Sequence, residues 1–223
     1  FDQDPSHITL QQDKNYLFAV RHGQRADNKA GTYSSDSEIT DKGKDQARAT
    51  AAIIKDIVAT SAAHSVKIIA SPWCRCLMTA GIIAEVLGVA SVHVEPMICE
   101  SLLEHAFGTT NPLPLLLSRT TDICEFTQKY LGDSVSVTVA DDDEFSEVSK
   151  RFPESVDDNI QRYKDFYDGF KQADTGTVLI AVTHGFALDS YREYLGAPSQ
   201  IVDYCCIGLG EFDTADRTTA PKC

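Results

Sequence analysis

Four short apolar runs stand out along the chain: Tyr16–Val20, Val66–Ala70, Val92–Val94 and Thr177–Val182. The longest, TVLIAV, has no polar residue after its first threonine. That is the pattern of a strand covered on both faces, as in a parallel sheet. Between these stretches the period changes. TDKGKDQARATAAIIKDIV sets Ala47, Ala51, Ile54 and Val58 at steps of three and four, which predicts a helix with one apolar face and Thr40 or Asp41 as its cap. SPWCRCLMTAGIIAEVLG predicts a second helix, with Ser71 as N-cap, Pro72 at the first helical position, an apolar face of Leu77, Gly81, Ala84 and Leu87, and an end near Gly88. A third, from about Pro153 to Gln172, aligns Val156, Ile160, Tyr163, Phe166 and Phe170, and a fourth runs from Gly185 to near Gly196. Strands alternating with helices imply an α/β sandwich around a mainly parallel sheet.

The rhythm breaks between Ala106 and Lys150. This stretch holds NPLPLLL, a short helical pattern around Asp122–Tyr130, the strand-like SVSVTVA and the acidic run Asp141–Glu144. It reads as a cap-like insertion, 106–150, over one edge of the sheet within a single domain, 1–223. The acidic run reads as a solvated loop and not as a metal site.

Composition narrows the partners. The 223 residues carry a net charge of −13, so no broad basic surface is expected, and neither nucleic acid nor an anionic membrane is an expected partner. An anionic ligand would need arginines gathered at one point. No apolar run reaches the length of a membrane span, and FDQDPSHITLQQ lacks the regions of a signal peptide. Seven cysteines, an odd number, read as reduced thiols, and the expected location is cytoplasmic. Cys74 and Cys76 form CxC with no matching His/Cys cluster, so no zinc site is expected.

The candidate chemistry sits where apolar runs stop. The first ends in Arg21-His22-Gly23, with Arg25 close behind. The second ends in Ser71-Pro72 and enters a helix whose first turn carries Arg75. The last ends in Thr183-His184-Gly185. In a parallel sheet the carboxyl ends share one edge, where ligands bind. Arg75 near the positive end of a helix, beside other arginines, is unfavourable unless an anion is present. A phosphate dianion would relieve the repulsion through fork-shaped guanidinium contacts. A neutral imidazole can attack phosphorus, and neighbouring arginines would favour the neutral ring. The leaving alkoxide or phenolate then needs a carboxylic acid. Glu100, beyond the short run Val92–Val94, is the candidate, with Glu104 next.

RHGQRADN, ITDKGKDQA, IIASPWCRCLMTA, VEPMICE and VTHG, in this order, resemble branch 1 of the histidine phosphatase superfamily, the phosphoglycerate mutase-like family, from about Tyr16 to Gly210. The resemblance implies a three-layer α/β/α sandwich and a phosphomonoester hydrolase that needs no metal or other cofactor. His22 would be the phosphorylated nucleophile, with Arg21, Arg75 and His184 around the phosphoryl group and Glu100 as proton donor and then base. Where the family usually has Ser or Thr, this chain has Arg25, as does the similar phosphatase domain of the suppressor of T-cell receptor signalling proteins. Arg25 would be an extra phosphate ligand. Asn28 sits where mutase-like members place an Asn near the phosphate. Gly23 and Gly185 would allow turns close to the ligand, and Gly43 would let the helix after Thr40 approach. The implied substrate is a phosphorylated small molecule or a phosphopeptide. The alternatives are a mutase-type phosphoryl transferase and a non-catalytic phosphate-binding module. Arg119 and Lys129 are the only arginine and lysine between Glu100 and Lys150, which favours hydrolysis over the many substrate contacts a mutase requires. A Cys-based phosphatase needs an arginine six places after its cysteine, and no cysteine here has one.

Overall fold

The computed structural model describes residues 7–27, 36–61, 64–120, 127–131 and 134–215. Six strands form one sheet: β1 (Lys14–Arg21), β2 (Ser65–Ala70), β3 (Ser91–Val94), β4 (Ser136–Val139), β5 (Thr177–Thr183) and β6 (Ile207–Asp213), in the order β4-β3-β2-β5-β1-β6. Every neighbouring pair is parallel except β1 and β6, which are antiparallel. The helices are α1 (Asp41–Val58), α2 (Cys74–Leu87), α3 (Glu104–Phe107), α4 (Leu113–Thr120), α5 (Asp142–Ser149), α6 (Val156–Phe170) and α7 (Gly185–Tyr194). No helix among the described residues is long and apolar enough to cross a membrane.

The period of two along β1 splits its side chains between two cores. Tyr16, Phe18 and Val20 pack with Ala51 and Ile54 of α1 and Leu77, Ala80 and Ala84 of α2. Leu17 and Ala19 pack with Tyr163, Tyr167 and Phe170 of α6 and Ala187, Leu188 and Tyr191 of α7. Each side chain of this size, fully buried, contributes about 1.5–3 kcal/mol. Helices thus cover both faces of the sheet, as the unbroken apolar strands require. β1 and β2 are followed by helices on the Phe18 face. β5 lies between them and is followed by α7 on the other face. This reversal opens a crevice at the carboxyl ends of β1, β5 and β2.

The structure corrects several local expectations. Thr40 does cap α1, accepting from the Gly43 N–H at 3.0 Å. Ser71 does not cap α2. That helix begins at Cys74, whose N–H is taken by the Asp36 carboxylate at 2.7 Å, and the Ser71 hydroxyl is committed elsewhere. α6 is rotated from its expected face: Val156 is exposed, and polar Asn159 and Arg162 are buried instead. The acidic run is a helix start and not a loop. Asp141 caps α5 through the Glu144 N–H, and the next three carboxylates occupy the first turn, where the helix dipole favours negative charge. NPLPLLL leads into α4. The helix expected over Asp122–Tyr130 falls mostly outside the described residues, with Thr127–Leu131 forming one π-helical turn. β6 has no counterpart in the apolar runs, because Gly208 and Gly210 interrupt its pattern. A Cβ at Gly210 would collide with the Tyr191 hydroxyl, so the glycine is what lets α7 lie against this strand.

Candidate active site

His22 follows β1 and is only 2% exposed. Its Nδ1 lies 2.8 Å from the Gly23 carbonyl, which can only accept a hydrogen bond. Nδ1 therefore carries the proton in the neutral ring, and the lone pair is on Nε2. Burial first, then the Arg75 charge and the neighbouring His184, hold the His22 pKa well below the ordinary histidine value. The ring is neutral at pH 7. Burial is thus a larger cause of the neutral ring than the neighbouring arginine.

His184, at the end of β5, lies with its ring centroid 5.5 Å from that of His22. The Ser71 hydroxyl is 2.7 Å from His184 Nε2, and the Glu100 carboxylate is 3.1 Å from Nδ1. Nδ1 faces both the Glu100 carboxylate, which favours a proton there, and, at 3.1 Å, the Arg75 guanidinium, which can only donate; the Ser71 hydroxyl at Nε2 can donate or accept and suits either tautomer. Burial lowers the His184 pKa to about 4; Glu100 opposes and Arg75 assists. Arg75, buried in the first turn of α2, donates to the same Glu100 oxygen at 2.8 Å. For Glu100, burial disfavours the charge, but His184 and Arg75 outweigh it and hold the pKa well below the usual carboxylate range. Four groups from four chain segments thus meet at one edge. Cys76 also touches His184, at 3.5 Å, but burial pushes its thiol pKa up, so it is no nucleophile here.

The supports of this cluster were not legible as such. Thr79 accepts from the Gly23 N–H at 3.0 Å and donates to the Arg75 carbonyl, tying the His22 turn to α2. Gly23 and Gly43 are needed for close approach and not for an unusual turn: a Cβ on Gly23 would sit 2.6 Å from the Gly43 carbonyl oxygen. Beneath Glu100 lies a sealed pair. Arg162 Nε donates to Glu154 Oε1 at 2.7 Å, and the remaining donors reach Glu154 Oε2 and the carbonyls of Met97, Cys99 and Glu100. Glu154 also accepts from the Leu102 N–H and from Asn159. The loop that carries Glu100 is thereby clamped from below. Asn159 and Arg162 lie off the apolar stripe expected for this helix, so its pattern gave no signal of the clamp.

Arg75 and Glu100 line a cavity of about 980 Å³, which Arg25 also lines. Arg25 makes two contacts with Asp27, at 2.9 and 2.7 Å, and one with the Ser37 hydroxyl. Arg21 is not brought to the Arg75–Glu100 pair. Its guanidinium lies 4.2 Å over the Tyr204 ring, bonds the Val202 carbonyl and lines a separate cavity of about 290 Å³. Gly185 also lines that smaller cavity, and a Cβ on it would come 3.3 Å from Arg21 Nε, so it makes room for Arg21. Glu104 starts α3, is exposed and is not among the lining residues. Asn28 lies outside the described residues. No group of three or more His, Cys, Asp or Glu among the described residues could hold a metal ion.

A neutral imidazole, a cation, a second imidazole and a carboxylate at one strand edge form a set that can bind and transfer a phosphoryl group. A search of curated proteins finds no match. Among solved structures, the chain is similar to a phosphoglycerate mutase from Bacillus anthracis, with 18% identity, 91% of each chain covered and a TM-score of 0.59. It is also similar to the ecdysone phosphate phosphatase from Bombix mori, with 19% identity, 88% of each chain covered and a TM-score of 0.52. A mycobacterial glucosyl-3-phosphoglycerate phosphatase matches at 14% identity over 93% of this chain and 94% of that one, with a TM-score of 0.53. At such identities these likenesses speak to the fold. The model of the histidine phosphatase superfamily (branch 1) matches residues 17–212, which take in all or most of every strand and all the groups just described. The chain therefore belongs to branch 1 of the histidine phosphatase superfamily and is a phosphatase of that superfamily.

Proposed function

We propose that the protein hydrolyses phosphomonoesters through a covalent phosphohistidine at His22, with no metal in the reaction. The observation that carries this reading is the His22 ring itself, neutral, with Nδ1 bound to the Gly23 carbonyl and its Nε2 lone pair available. Nε2 attacks phosphorus as the ester P–O bond breaks, and the departing alkoxide takes a proton from Glu100. Water then attacks phosphorus and gives its proton to Glu100. The N–P bond breaks, its electron pair returns to Nε2, and inorganic phosphate leaves. Arg75 neutralises charge on the equatorial oxygens throughout, and the uncharged His184 ring contributes a hydrogen bond. In this reading Arg25 is a further phosphate ligand at the mouth. Arg21 would need to turn away from Tyr204 to serve as one, and the same role is proposed for Asn28. Residues 106–150 act as a cap within a single domain.

The carboxylate of Glu100 now makes two contacts, to Arg75 and to His184, that a phosphoryl oxygen would make. A bound dianion would compete for Arg75 and repel the carboxylate. Both effects raise the Glu100 pKa, so an ionised group in the free enzyme becomes an acid in the complex. Hydrolysis is favoured over mutase-type transfer by the cavity wall: Lys129 pairs with Glu38 and is not part of it. The neighbours act on different phosphates, a phosphorylated ecdysone and a glucosyl-3-phosphoglycerate by their names, and do not single out a substrate.

Acid quench during turnover of p-nitrophenyl phosphate with excess chelator is the test. Label on His22, lost together with turnover in His22→Ala, is the expected result. Phosphate binding without product would point to a binding module. Faster phosphate exchange between the positions of phosphoglycerate than hydrolysis would point to a mutase. Turnover that survives in His22→Ala would refute the mechanism.

A further inference from the structure

Arg75, Glu100 and Arg25 take up only part of the lining of the large cavity, and His22 and His184 are not among its lining residues. Its volume, about 980 Å³, lies at the upper end of the roughly 300–1,000 Å³ typical of small-molecule sites. Beside Arg75 and Glu100, the apolar part of the lining is Trp73, Leu103, Phe107, Leu115, Leu116 and Phe186, with the small polar side chains of Ser101, Thr110, Asn111 and Ser118 among them. These rings are continuous with the catalytic cluster. Trp73 stands edge-on to His184 at 5.4 Å between centroids, and Phe107 follows at 6.1 Å from Trp73. Two wall residues are large apolar side chains left in water: Leu115 is 73% exposed and Phe186 37%. A cluster of apolar surface inside a concave site marks a place where apolar ligand surface is received.

The charges on the wall point the same way. Arg25 is held by Asp27, and Asp36 is spent on the Cys74 N–H. His105 stands exposed at the rim. The wall therefore presents no cluster of cations for a second phosphate or a carboxylate, and Asp36 disfavours one.

We infer that the substrate is a phosphate monoester whose organic part is a bulky, uncharged, apolar ring system, lodged against Phe107, Leu115 and Phe186 while its phosphoryl group sits at Arg75. This rests on the phosphatase reading and adds the substrate class to it. A sugar phosphate or a bisphosphate would leave the wall uncovered and place polar groups against it.

Two esters with the same type of leaving group separate the organic part from chemical reactivity: 2-(1-naphthyl)ethyl phosphate and ethyl phosphate. Burying the naphthyl group predicts kcat/KM higher by about tenfold or more. Leu115→Asp, at an exposed position, should reduce that ratio by about fivefold or more through a charge on the wall. Val156→Asp, exposed but outside the cavity, should leave it unchanged. The two matching phosphonates, which cannot be hydrolysed, are titrated in parallel by calorimetry, with the naphthyl compound expected to bind more tightly. Equal kcat/KM for the two esters, preference for 3-phosphoglycerate over both, or a ratio untouched by Leu115→Asp would overturn the inference and leave the phosphohistidine mechanism standing. Absence of turnover would instead overturn the mechanism. The phosphonates would then still decide the ligand class: tighter naphthyl binding supports it, and equal binding refutes it.

Discussion

Two arginine–glutamate pairs lie one above the other in this molecule. They are nearly identical in length, 2.8 Å for Arg75–Glu100 and 2.7 Å for Arg162–Glu154, yet their surroundings differ. Both side chains of the lower pair are sealed, at 0% exposure. In the upper pair, Arg75 is sealed but Glu100 is 25% exposed to the cavity. Arg162 has its donors distributed over Glu154 and three carbonyls, so nothing entering from solvent can compete for it. Arg75 points its fork toward a carboxylate that an incoming anion can displace. The same ion pair is a fastener where water cannot reach it and an exchangeable contact where a ligand can. Desolvation makes the difference, since a buried charge that loses its partner has no water to replace it.

The largest separation between the pairs should come from removing each arginine. Arg75→Ala is expected to lower kcat/KM by about 10³–10⁵-fold through lost charge stabilisation, while Glu100 turns to solvent and stability changes less. Arg162→Met strands the Glu154 charge and should cost about 3–5 kcal/mol in denaturant unfolding. If Arg75→Ala proved the more destabilising of the two, the distinction between fastener and exchangeable contact would be wrong.

Glu100→Gln sharpens the role of the upper pair. It should slow hydrolysis of ethyl phosphate by about 10²–10⁴-fold, because an alkoxide needs a proton to depart. p-Nitrophenyl phosphate, which releases a stable phenolate, should suffer far less. Equal losses of kcat/KM on the two esters, a quantity that stops at transfer to His22 and excludes the later base role, would remove Glu100 as proton donor.

The smallest expected effect is on pH. His184 has a folded pKa of about 4, below the ordinary 6.5 that the unfolded chain regains. Between these values the unfolded state binds more protons, so stability rises with pH across the window and falls on acidification from 6.5 toward 4. The loss should reach about 2 kcal/mol by pH 5. Glu100, also depressed, adds its loss at lower pH, as protonation passes through its folded pKa. A melting temperature unchanged between pH 7 and pH 5 would contradict a neutral, buried His184, and Ser71→Ala should shift the profile because it removes the partner of Nε2.

Much of the architecture was readable because its cause is local. A strand covered on both faces must be apolar throughout, so β1 and β5 announced themselves, and β2 and β3, interrupted by Lys67 and His93, still stood out as short apolar runs. Parallel strands must present their carboxyl ends together, so the order of elements alone assigns His22, His184, Arg75 and Glu100 to one edge. Placement on that edge also separates Glu100 from Glu104, a choice that spacing left open. Where the cause is distant, the pattern misled. β6 hides behind glycines whose need is set by Tyr191, on another element. Arg162 looked like the polar side of α6 because its partners, at 97, 99, 100 and 154, come together only on folding.

By itself, then, the amino-acid order determined which groups would be available at the sheet's edge and that they suit a phosphoryl group. Tertiary structure alone decided which nitrogen of His22 keeps its lone pair, which carboxylate meets Arg75, that Arg21 turns to Tyr204, and that the cavity wall is apolar. Each of those depends on which atoms are within about 3–4 Å and on how much water is excluded around them, and neither quantity is encoded in the spacing along the chain.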